Sequence, residues 1–151
     1  MGIEKDIQQT NFRNEYQKLG INIMYTANWL NEKIAGILSQ EDITQQQYNI
    51  LRILRGADKP LSTLQIRARM LDKMSDTSRI VDRLVAKELV EKNTCPTDRR
   101  LVDVVLSKKG FVILEKLDQL NHHLDALMKG ISEKDAITMN QLLDQLREVS
   151  K

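Results

Sequence analysis

The side chains with chemistry to offer lie mostly between Ser62 and Lys109. The stretch CPTDRRLVDVVLSKKG, residues 95–110, sets Asp98, Arg99 and Arg100 between two segments that read as β-strands, just after Pro96. A hairpin tip is thin enough to enter the minor groove of duplex DNA, and a narrow A·T-rich groove has a negative potential that favours arginine. Pro96 stiffens the turn and lowers the entropy lost on ordering it. Upstream, SDTSRIVDRL presents Ser75, Thr77, Ser78, Arg79 and Arg83 at the start of an amphipathic helix, a position from which short polar groups and arginines reach base edges and phosphates. Ser62 and Thr63 open the helix before it and offer backbone and hydroxyl donors to a phosphate. The plainer reading of the hairpin is a solvated turn, and that of Arg83 an ion pair within the domain. The polar helix start directly ahead of the hairpin favours nucleic acid for the first, while Arg83 stays open.

Other chemistry finds fewer parts. Cys95 is the only cysteine, which excludes an internal disulfide framework and a multi-cysteine zinc site. It is either a small strand residue near the turn or an oxidisable thiol that bends the hairpin. His122 and His123 are neighbours and so point about 100° apart on a helix, poorly placed to clasp one metal. Asp118 and Asp125 share a helix face with His122, but three side chains along one helix rarely close a site. There is no G-x-S-x-G, P-loop or H-E-x-x-H, so no enzyme, cofactor or metal is expected.

The elements that must position these residues can be read from periodicity. The 151 residues suffice for one domain, with 41% hydrophobic and 29% charged residues as in soluble globular proteins. No apolar run nears the roughly 18 residues that span a membrane. The start, MGIEKDIQQT, lacks an apolar signal core, so a cytoplasmic protein is expected. Of 23 Lys/Arg and 21 Asp/Glu, 14 and 8 fall between Arg52 and Lys109, a balance of +6 there against −4 elsewhere. Such asymmetry suggests a polyanionic partner for the central segment.

Residues from about Ile7 to Leu38 predict one long helix with an apolar stripe through Tyr16, Leu19, Ile23, Ala27, Leu30, Ile34 and Ile37. Thr44 with Gln47 fits a capping box for a helix burying Tyr48, Leu51 and Leu54 and stopping near Gly56. Ser62 with Gln65 fits a second, for a helix to about Met70. Ser75 is the expected N-cap of the next, whose apolar face is Ile80, Val81, Leu84 and Val85, closed by Leu89. Two short helices and a tight turn fit a helix-turn-helix; a hairpin with Val102, Val104 and Leu106 on one face makes it a winged helix. Ser107 caps a further long helix with Ile113, Leu117, Leu120, Leu124 and Leu127 at heptad spacing. Gly130 breaks it, and Ser132 with Asp135 opens a last helix carrying Met139, Leu142, Leu146 and Val149. The predicted order is α-α-α-α-β-β-α-α, mainly α with a small β-hairpin wing.

TQQQYNILRIL, PLSTLQIRARML, SDTSRIVDRLVAKELVEK and PTDRRLVDVVLSKKG, in this order, resemble the MarR family of bacterial winged helix-turn-helix transcription regulators. The resemblance covers residues 44–110 closely and the flanks by helix placement. Arg67 departs from the family's alanine, Met70-Leu71 from its usual Leu-Gly, and Asp76 from a usually neutral residue. Asp76 either accepts from cytosine N4 or merely favours the helix start. The resemblance implies that Asp98 orients Arg100, with Arg99 a phosphate contact. It also implies a DNA-binding lobe at about 44–110, and dimerisation helices at about 5–40 and 108–150. The leftover apolar faces of those helices point to the same two-fold homodimer, matched to a pseudo-palindromic double-stranded DNA operator. Repression is the family's usual mode, relieved by a small, often aromatic effector between dimer helices and DNA-binding lobe. Tyr16, Ile23, Trp29 and Tyr48 fit such a crevice, and core packing equally well. The alternative is a winged helix used for protein assembly, or as an architectural DNA binder without a ligand.

Overall fold

The computed structural model describes residues 2–94, 96–98, 100 and 102–149. Helix α1 (Ile3–Asp6) precedes α2 (Glu15–Leu38) and a short 3₁₀ turn at Ser39–Glu41. Then come α3 (Gln45–Ala57), β1 (Leu61–Ser62), α4 (Thr63–Arg69), α5 (Thr77–Ala86), β2 (Val90–Thr94) and β3 (Val102–Leu106). Helices α6 (Lys108–Asp118), α7 (Asn121–Met128) and α8 (Glu133–Glu148) close the chain.

The core lies in the central lobe. Ile50, Leu51, Leu61, Ile66, Val81, Leu84, Val104 and Leu114 are fully buried, which brings α3, α4, α5, α6 and the sheet onto one cluster. Both predicted capping boxes form. Thr44 Oγ1 accepts from Gln47 N at 3.1 Å and Ser62 Oγ from Gln65 N at 3.2 Å, and each glutamine reaches back to the capping residue's N–H. The three-stranded antiparallel sheet has the order β1-β3-β2, with Leu61 opposite Val104 and Lys92 opposite Val104 on the other side.

Several expectations are corrected. The long helix starts at Glu15 and not near Ile7: Gln8 takes a left-handed φ of 53° after the separate α1, and Asn14 caps α2 by accepting from Gln17 N. Asp58, at φ 52°, ends α3 in place of Gly56. The heptad stretch after Ser107 is broken at Gln119–Leu120 into α6 and α7, because Gln119 N and Leu120 N bond to carbonyls three residues back. The wing gains a third strand, β1, too short to register as a strand pattern. Val102 is 38% exposed, so only Val104 of the predicted face is fully buried. Cys95 and Arg99 lie outside the described residues.

Local stitching sets α6 against the lobe. Glu88, at φ 62°, turns the chain from α5 into β2. Ser107 Oγ donates to Glu88 O at 2.7 Å and Ser107 N to Leu89 O at 3.1 Å. Gly110 follows on the first turn of α6, where a Cβ would stand 2.2 Å from Leu89 O. Arg55 clasps Asp118 through two bonds of 2.8 and 3.0 Å, joining α3 to the end of α6. That use takes Asp118 out of any set around His122. By contrast α7 and α8 bury no residue, and α2 buries only Leu38. No described helix is long and apolar enough to cross a membrane.

Candidate nucleic-acid interface

The wing tip is built from Asp98. Its carboxylate accepts from Arg100 N, Nε and a terminal guanidinium nitrogen, each at 3.0 Å. The carboxylate is partly sheltered while the Arg100 side chain is 89% exposed, so a fixed guanidinium is held out to solvent. The Arg100 side chain and then its backbone N–H hold the Asp98 carboxyl below its ordinary value of 3.8. The orientation that the D-x-R motif implied is present in the bond geometry.

Helix α5 presents Ser78, Arg79 and Arg83 on its exposed side. Neither Arg79 nor Arg83 has an ion-pair partner for its guanidinium among the described residues, which removes the intradomain pair considered for Arg83. Asp82 is taken by Lys92, a contact that ties α5 to strand β2 of the wing.

Three sequence expectations change here. Asp76, not Ser75, caps α5: its Oδ1 accepts from Arg79 N at 3.2 Å, which supports the helix-start reading of this carboxylate. Ser75 turns its hydroxyl onto Asp72 O at 2.7 Å. Thr77 is 3% exposed and its hydroxyl has no partner among the described residues, so it packs inward and not toward solvent. Ser62 is 8% exposed and committed to its capping box, while Thr63 beside it stays partly exposed. Arg67 was missed as a candidate. It is exposed on α4 and lines, with Thr63, Ser75 and Ser78, a hollow of about 310 Å³ between the two helix starts. Its signal in the sequence was only a basic residue on the polar side of α4.

Both ends of α5 are tied to α3. At its C-terminal end Lys87 Nζ donates to Gln47 Oε1 at 3.0 Å and to Asp42 O. Ahead of its N-terminus, Leu71 N donates to Asn49 Oδ1 at 2.9 Å and Gln46 Nε2 to Asp72 Oδ2 at 3.2 Å. Two adjoining hollows of about 650 and 230 Å³ lie against this second tie, between α2, α3 and the connection after α4, the smaller reaching α7. Tyr48 lines the smaller, with the Arg52 guanidinium 5.5 Å from its ring centre. Tyr16, Ile23 and Trp29 line neither, and Tyr16 is 84% exposed. His122 and His123 stack with ring centres 3.9 Å apart, and no group of three metal-ligating side chains occurs among the described residues.

Comparison with known proteins places this geometry. Residues 41–101 match the family model described as MarR family. The chain is 28% identical over 137 residues to the Multiple antibiotic resistance protein MarR of Escherichia coli strain K12, covering 88% of this chain and 93% of that protein. A mutant MarR from E. coli, in a crystal structure with operator DNA, superposes with a TM-score of 0.82 at 27% identity, over 91% of this chain and 99% of the other. Wild-type apo MarR from E. coli gives 0.70 at 28% identity, over 85% and 96%. The matched segment contains α3 through the wing tip, so the contacts just described from Lys87 to Arg100 lie in the part of the chain that is similar to the MarR family of transcription regulators.

Proposed function

We propose that the protein is a homodimeric, sequence-specific DNA-binding transcription regulator, a repressor that a small aromatic effector releases from a pseudo-palindromic operator. The observation that carries the DNA reading is Arg100, held outward by Asp98 at the wing while Ser78, Arg79 and Arg83 lie free on α5. In this reading α5 enters the major groove with Ser78 and Arg79 near base edges. Arg100 enters the adjoining minor groove; Arg83, Arg67 and Thr63 meet phosphates. Whole-chain similarity to the operator-bound relative, at a TM-score of 0.82, supports it.

We assign residues 44–110 to the DNA-binding lobe and the flanking helices, about 5–40 and 108–150, to dimerisation. The exposed apolar residues of α2 and α8, among them Leu19, Leu142 and Leu146, support that division. The hollows beside Tyr48 are the assigned effector crevice: largely apolar walls, with Arg52 to meet a carboxylate or phenolate.

The test is fluorescence anisotropy on duplexes selected by the wild-type protein from a random pool, across a salt series. Wild-type binding should weaken steeply with salt. Arg100→Ala should lose roughly tenfold or more in affinity, with relaxed preference at the A·T-rich flank. Equal binding by wild type and variant would remove the wing from the interface. Failure to select any sequence would overturn the regulator reading.

A further inference from the structure

The connection from α4 to α5 contributes little to the core. Met70 is buried, but Leu71 is 79% exposed and Met74 93% exposed. Apolar packing therefore cannot fix the path of residues 71–76, and hydrogen bonds must. Within the connection, Asp72 Oδ1 accepts from Met74 N at 3.0 Å, and Asp72 O accepts from the Ser75 hydroxyl. These bonds give the turn its shape without saying where it sits. Its position is set from outside, by Asn49 Oδ1 on Leu71 N and Gln46 on Asp72 from α3, and by Lys73 Nζ on Ala68 O of α4.

Asn49 is well suited to that task. It stands on α3 between Tyr48 and Ile50, both buried, so its backbone is anchored in the core of the lobe. Leu71 N is the nearest backbone group of the connection that it can fix, five residues ahead of the Asp76 cap. Asn49 and Leu71 also line both hollows of the crevice, together with Leu30, Ile34 and Gln45. Gln45 in turn donates to Asn31 of α2 at 3.0 Å. One carboxamide thus faces the crevice and holds the connection that leads into α5.

We propose that Asn49 is a positioning residue for the recognition helix, and that the crevice acts on DNA binding through it. The proposal rests on the regulator reading given above. With the clamp closed, the start of α5 is held against α3 at one end and by Lys87 at the other. A ligand carrying an N–H or O–H donor competes with Leu71 N for the Asn49 oxygen. Ligand packing on the exposed Leu71 side chain draws the connection toward the crevice. Both effects loosen the N-terminal end of α5, leaving it to the weaker hold of Gln46 on Asp72 while the Lys87 tie remains, so the helix start swings and Ser78 and Arg79 lose register.

The experiment compares wild type with Asn49→Ala and with Asn49→Asp, which is isosteric and keeps the acceptor. Amide hydrogen exchange at Leu71 and across residues 72–79 reads the clamp directly, and anisotropy on the selected duplex reads its consequence. Expected for Asn49→Ala is faster exchange at Leu71 and the α5 start, and affinity lower by about three- to tenfold, the worth of one hydrogen bond. The melting temperature should stay near wild type. Asn49→Asp should recover the exchange protection and regain affinity over the alanine variant. Unchanged exchange in Asn49→Ala, or failure of Asp to restore it, would overturn the proposal. If no duplex binds even the wild type, the regulator reading fails, and exchange still decides whether Asn49 holds the connection.

Discussion

At the scale of single residues, the interface turns on which polar groups are already engaged. Asp98 spends its carboxylate on Arg100, and the sign of its pH dependence follows. Its carboxyl is held below the ordinary 3.8, so the contact is complete above that value and is lost as pH falls through the lowered one. Wing geometry should therefore be constant from pH 5 to 8, and any pH effect on affinity in that range must come from elsewhere. Thr77 is the converse case. Its hydroxyl is buried without a partner among the described residues, a small standing cost that an apolar isostere would remove. Thr77→Val should leave operator affinity unchanged, with stability equal to wild type or higher by up to about 1 kcal/mol, measured by denaturant unfolding and anisotropy. A clear loss of affinity in this variant would return Thr77 to the DNA face.

At the scale of elements, what could be read from the sequence followed the strength of the local signal. The capping boxes at Thr44 and Ser62 and the cap at Ser132 were legible because side-chain type and spacing alone specify them. Strand β3 was legible from alternation and β2 from its place before the turn, while β1 was not legible, since two residues carry no period. Thr77 was misread although the period placed it: it stands three, four and seven residues before Ile80, Val81 and Leu84, on the buried face of α5. The break between α6 and α7 was hidden by an unbroken heptad pattern; only the local hydrogen bonding shows it. Asn49 gave no sign at all, because its partner is a backbone N–H distant in sequence. Gly110 shows the reverse, a motif residue whose reason needed coordinates. Its missing Cβ lets α6 start against the Leu89 carbonyl, so Gly110→Ala must push backbone from backbone. The expected loss is about 1–3 kcal/mol, seen as a lower melting temperature with the DNA-contacting side chains untouched. A variant as stable as wild type would mean that α6 shifts freely against the strand.

At the scale of the whole molecule, the lobe and the terminal helices obey different physics. The lobe has a closed core and would bury little more by associating. The helices α7 and α8 bury nothing within the chain, and α8 leaves Met139, Leu142 and Leu146 each about half exposed and Val149 at 90%. The spacing of Leu142 and Leu146 places them on one face, the arrangement a helix adopts when its partner is another helix. On α2, Tyr16 and Leu19 are likewise exposed in a helix that buries only Leu38. In the proposed dimer a second copy would cover both faces at once and set two α5 helices about a two-fold axis, which would make dimerisation and operator recognition one requirement. Replacing both Leu142 and Leu146 with Asp should give a monomer by sedimentation velocity, since paired carboxylates cannot be buried in an apolar seam. The lobe should keep its unfolding transition, because neither side chain touches the core. Operator affinity should fall on the order of a hundredfold as two linked half-site contacts become one. A variant that stays dimeric would move the interface to α2 alone, and a wild type that sediments as a monomer would separate the DNA-binding lobe from any need of a partner.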